Sequence, residues 1–111
     1  MKMKLPPDSL IPLEKLTSYL LIRQKRSDKS AFLSRGGYSM DNPERFRDDL
    51  RSQILPLDAV SAGSTKFGDF FEIRGILHGP NGKNLRVRTI WMRENLRETV
   101  RFITLLPDKT K

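Results

Sequence analysis

In the first half of the chain, apolar residues recur at helical spacing. Leu13, Leu16, Tyr19 or Leu20, and Ile22 fall three or four positions apart, Pro12 suits the first helical position, and Glu14 is favourable in the first turn. This predicts a helix over about 12–22. The polar run Arg23 to Ser27 interrupts it. Ser27 or Asp28 is placed to cap a short second helix carrying Ala31, Phe32 and Leu33, which Gly36 and Gly37 stop. In a third helix, about 43–54, Asp41 or Asn42 is the cap, Pro43 takes the first position, and Phe46, Leu50 and Ile54 share one face. Pro56 ends it. Ahead of all three, the paired prolines of KLPPDSLIP remove donors and exclude helix or central strand, so residues 1–11 are an extended lead-in.

After Pro56 the period changes from 3.6 to 2. FFEIRGILHG alternates Phe71, Ile73, Gly75 and Leu77 with Glu72, Arg74, Ile76 and His78, and GPNG follows as a turn. KNLRVRTIWM returns with Leu85, Val87, Thr89 and Trp91 opposite Arg86, Arg88, Ile90 and Met92. A polar connector leads to TVRFITLL, where strict alternation sets Val100, Phe102, Thr104 and Leu106 against Arg101, Ile103 and Leu105. Ala59 to Thr65 forms a weaker strand before the hairpin. The fold predicted is α+β, with two or three N-terminal helices packed on a three- to four-stranded antiparallel meander. A single domain is expected over 1–111, helical over 12–55 and meandering over 57–107.

Composition narrows the chemistry. The absence of cysteine excludes a disulfide scaffold, a thiol nucleophile and a cysteine-rich zinc site, and His78, the one histidine, excludes a multi-histidine metal site. No metal or other cofactor is expected. Neither a membrane-spanning apolar run nor a signal peptide is readable, so no membrane partner and a cytoplasmic location are expected. The net charge of +8 divides unevenly, with +5 in residues 1–40, −1 in 41–56 and +4 in 57–111. Such a field attracts polyanions, chiefly RNA or another nucleic acid, or a small acidic partner protein.

Two clusters concentrate that charge. Arg74, Arg86, Arg88 and Arg101 fall on the strand face opposite the main apolar set, forming a basic patch with Trp91, Phe70 and Phe71 as candidates for stacking on bases. Alternating arginine and glutamate also suits a solvated sheet face, and Trp91 alternates as a core residue does. Lys25, Arg26 and Lys29 lie around the start of the second helix. Arg26 joins the patch as a nucleic-acid-binding candidate. His78, at a strand end without an acidic neighbour, reads as structural, and HGPNGK lacks the spacing of a nucleotide-binding loop.

The blocks LEKLTSYLL, DKSAFLSRGGYS, FGDFFEIRGILHGPNGKNLRVRTIW and VRFITLLPDK, spanning about residues 4–109, resemble a bacterial and phage family, domain of unknown function 6883. Its members are similar to small free-standing proteins and to modules appended to phage head-morphogenesis and toxin-like polypeptides. Helices followed by a meander ending in an FIT strand and a proline are similar in outline to the ribonuclease toxins, which include barnase, colicin ribonucleases and mRNA interferases. What the resemblance implies is metal-independent RNA cleavage with Lys29, Arg88 and Thr104 as the catalytic residues, since these types bind and polarise a pentacoordinate phosphate. A general base is not assigned. The alternative expectation is a non-enzymatic module of phage or mobile-element origin that binds protein or nucleic acid.

Overall fold

The structure is a computed structural model and describes residues 2–17, 21, 29–96 and 99–108. Its frame is an antiparallel sheet whose spatial order follows the chain: β1 (Lys2–Met3), β2 (Ala59–Thr65), β3 (Gly68–His78), β4 (Asn84–Glu94) and β5 (Val100–Pro107). The four expected strands are present, and the fifth comes from the lead-in, where Lys2 and Met3 pair with Val60 and Ala59 ahead of the prolines. Between β1 and β2 lie α1 (Leu13–Lys15), α2 (Ser30–Ser34) and α3 (Pro43–Asp49), the last continued by a wider π-helical segment, Leu50–Ile54. Past α1 the first predicted helix goes on only as a wider turn at Leu16 and Thr17, and Leu21 is a bend rather than helix; its residues 18–20 and 22, the Ser27 or Asp28 cap, Lys25 and Arg26 lie outside the described residues.

The α+β class follows from two apolar stripes meeting. Phe46, Leu50 and Ile54 are fully buried along α3 and its continuation, and they face the inner strand positions Ile73, Leu77, Val87, Trp91 and Phe102. Pro43 opens α3 as expected, although Asn42 caps nothing with its side chain; its amide instead accepts from Ser39 N at 2.8 Å and donates to the Gly37 carbonyl at 2.9 Å. Trp91 meets Phe102 edge to face at 5.3 Å. Its indole N–H donates to Thr89 Oγ1 at 2.8 Å, and that buried hydroxyl donates to the Ile73 carbonyl at 3.0 Å, so neither polar atom is stranded in the core.

Where α2 turns toward the β3–β4 hairpin, the backbones approach too closely for side chains. Gly37 has φ +94°, and a Cβ on Gly79 would collide with the Gly36 carbonyl oxygen. The same corner holds Tyr38, whose hydroxyl donates to Asp49 Oδ2 at 2.6 Å while Arg45 Nε donates to both oxygens of that carboxylate. Burial and the anion beside it push the Tyr38 hydroxyl well above the usual tyrosine range.

Candidate phosphate-binding site

The last strand departs from strict alternation. Trp91 stands opposite Phe102 and Ile90 opposite Thr104, which leaves Ile103 as the extra residue of a β-bulge. One added residue reverses the parity of everything after it. Val100, Phe102 and Leu105 are therefore the buried residues, and Thr104 and Leu106 do not share the face of Phe102. Thr89 and Leu105 pair on the inner face with neither exposed, so the flanking pairs, Ile90 with Thr104 and Arg88 with Leu106, lie on the outer face.

There Lys29, immediately ahead of α2, reaches across the sheet edge and its Nζ donates to Thr104 Oγ1 at 2.8 Å. The two residues are 75 positions apart in sequence. Arg88 sits one diagonal from Thr104, a placement that sets the two residues about 7–8 Å apart and their Cβ atoms somewhat closer. The three residues implied by the resemblance thus occupy one corner of one face, although only Lys29 and Thr104 touch. Arg88 NH2 instead donates to Glu72 Oε2 at 2.9 Å, and Arg74 Nε donates to Glu72 Oε1 at 2.6 Å. Both guanidinium groups hold the Glu72 carboxyl below the usual carboxylate range, with Arg88 the stronger cause.

The rest of the predicted patch divides. Arg86 lies further along β4, opposite Ile76, whereas Arg101 is opposite Met92, three residues before Thr104 on β5, and pairs with Glu94 at 3.3 Å. Stacking on Trp91 or Phe71 is ruled out by burial, and Arg93 lies over the Phe71 ring. His78 is at the hairpin end, with Nδ1 2.7 Å from Asn84 Oδ1. It is not near Thr104.

Lys15, on α1, belongs to the corner and was missed in the sequence. Burial, then repulsion from Lys15, holds the Lys29 ammonium below the usual lysine range, while burial, then Arg101, does the same to Lys15. A bound anion would favour the charged form of Lys29, offsetting the burial and the repulsion from Lys15. Among the described residues, no group of three or more His, Cys, Asp or Glu is placed to hold a metal ion, and no helix is long and apolar enough to cross a membrane.

Helices on one face of a meander, with Lys29, Thr104 and Arg88 at one corner of the other, define an α+β fold with a cationic corner. The chain belongs to the family described as Domain of unknown function (DUF6883), whose model matches residues 5–109. Comparison with curated proteins and with solved structures gives no match.

Proposed function

We propose that the protein binds the phosphate backbone of RNA at this corner and cleaves it without a metal. The observation that supports it is the 2.8 Å contact of Lys29 with Thr104, which aims an ammonium and a hydroxyl at one point on the solvent face. An incoming phosphodiester there would take hydrogen bonds from both, and Arg88 is within reach of the same group or its neighbour. In cleavage, the ribose 2′-oxygen attacks phosphorus, its proton passes to water, and the bond to the 5′-oxygen breaks as that oxygen regains a proton. Lys29 and Thr104 stabilise the charge on the equatorial oxygens as it develops, and Arg88 adds its positive charge from the neighbouring position. On this reading the chain is a toxin-like cytoplasmic ribonuclease of bacterial or phage origin, restrained by a small acidic partner that competes for the same cations.

A second reading, binding without cleavage, is favoured by the remoteness of His78 and by the engagement of Arg88 with Glu72. One experiment separates them. Total RNA is incubated in EDTA with the wild-type protein, Lys29→Ala and Thr104→Ala. Cleavage by the wild type that both variants lose supports the nuclease; intact RNA that the wild type still retains, dependent on Lys29, leaves the binding module; no interaction with RNA ends both.

A further inference from the structure

Arg74 and Arg88 are direct cross-strand partners. Like charges facing each other across a strand pair destabilise it, so an anion between them is required, and in the free protein the Glu72 carboxylate supplies it. Glu72 is 13% exposed, but Arg74 and Arg88 keep 49% and 35% of their side-chain surface open. Beside them lies a cavity of about 460 Å³, lined by Leu57, Asp58, Val60, Glu72 and Arg74. Asp58, the other carboxylate on its wall, is engaged by Lys4 at 3.1 Å. The Nε of Arg88 is buried with no hydrogen-bond partner, a donor that the carboxylate leaves unused.

Carboxylate and phosphate present the same pair of oxygens to a guanidinium. We infer that Arg74 and Arg88 form a second phosphate subsite, in which Glu72 holds the place of a phosphate of single-stranded RNA whose neighbouring phosphate sits at Lys29 and Thr104. The inference rests on the proposed RNA binding and deepens it. Glu72 stands opposite Ile90 and Ile90 opposite Thr104, so the two subsites lie on one cross-strand row of the outer face, and the cavity gives the displaced Glu72 side chain room. Glu72 therefore opposes binding in the wild type: RNA must displace it before both arginines engage.

The test uses a labelled 2′-O-methyl oligouridylate, which lacks the attacking hydroxyl, and measures affinity by fluorescence anisotropy over a salt series. Glu72→Gln keeps the side-chain shape and removes the competing charge. It should bind about tenfold tighter, with a log–log salt slope steeper by about 0.7, the increment for one further phosphate contact on a single strand. Adding Arg74→Ala to Glu72→Gln should return the slope to the wild-type value. Equal or weaker binding by folded Glu72→Gln, in a protein whose affinity still depends on Lys29, overturns the subsite alone. Wild-type affinity that is indifferent to Lys29→Ala overturns the RNA-binding reading and the subsite with it. Should Glu72→Gln melt at the assay temperature, the wild type decides: the Nε–H resonances of Arg74 and Arg88 must shift on adding the oligonucleotide, and unmoved resonances at saturation refute the subsite.

Discussion

Removing the Thr104 hydroxyl isolates the contact on which the proposed site depends. Thr104→Val keeps the β-branched shape that suits the strand, while Lys29→Met keeps the unbranched stem and removes the ammonium. With Lys29 Nζ 2.8 Å from Thr104 Oγ1, the donor is charged, and a hydrogen bond to a charged group contributes about 1.5–3 kcal/mol. The site is only partly buried, so the lower end applies, and about 1.4 kcal/mol is a factor of ten in affinity. Thr104→Val should therefore weaken oligonucleotide binding about tenfold, as the phosphate loses the hydroxyl and Lys29 its aim, and should also lower the melting temperature by several degrees, since the same bond contributes to the fold. Lys29→Met should weaken it further and flatten the salt slope by about 0.7, one phosphate contact on a single strand. Since the two groups touch each other and meet the same phosphate, the double variant should lose less than the sum of the two single losses. The assay is the anisotropy titration with the four proteins of the cycle. Effects that add to within about 0.5 kcal/mol would refute the reasoning, because groups in direct contact should couple.

Four further outcomes follow from the same geometry. A bound phosphate favours the charged form of Lys29, so affinity must fall as pH rises through the lysine's lowered pKa; titrated with the 2′-O-methyl oligonucleotide, the loss should begin below the usual lysine range and be smaller in Lys29→Met, where Lys15 alone still titrates low. Trp91, the single tryptophan, is fully buried, so saturating RNA should leave its emission unquenched, and quenching by stacked bases would contradict the core placement. Deleting Ile103 straightens the bulge while keeping Phe102 opposite Trp91 and Thr104 opposite Ile90; cross-strand nuclear Overhauser contacts between Ile90 and Thr104 should persist, at a stability cost of less than about 3 kcal/mol for the lost half-buried side chain. Gly79→Ala drives a methyl group into the Gly36 carbonyl and should destabilise by about 3 kcal/mol or more in urea unfolding, since backbone cannot give way as a flexible side chain does.

Periodicity carried most of the fold because the burial it encodes is one-sided. The i, i+4 series of Phe46, Leu50 and Ile54 has a single solution that buries all three, and the alternation from Phe71 to Leu77 and from Leu85 to Trp91 likewise chooses one sheet face. The two-residue β1 was not legible, because Lys2 and Met3 hold no pattern of their own and their pairing with Val60 and Ala59 is a tertiary choice. Nor was the bulge. A single extra residue leaves no mark on composition, yet it moves Thr104 from the predicted company of Phe102 to the face where Lys29 can meet it.

The site was half legible for a related reason, since it is made by register rather than by motif. Lys29, Arg88 and Thr104 came from a resemblance, and their approach depends on a contact spanning 75 residues that no local spacing encodes. Glu72 was different: it read as one charge on a solvated strand, although the information to do better was present. The hairpin closes with His78 opposite Asn84 around Gly79–Lys83, where Gly79 N donates to the Lys83 carbonyl at 2.8 Å. Once that pair is fixed, antiparallel counting sets Arg74 opposite Arg88 and Glu72 opposite Ile90 without further evidence. Two facing arginines then demand an anion, and the nearest residue able to supply one is Glu72. A basic strand face is thus ambiguous until its register is known. Here the register sets Arg74 against Arg88 around the protein's own carboxylate and, past the bulge, brings Thr104 to the face where Lys29 meets it.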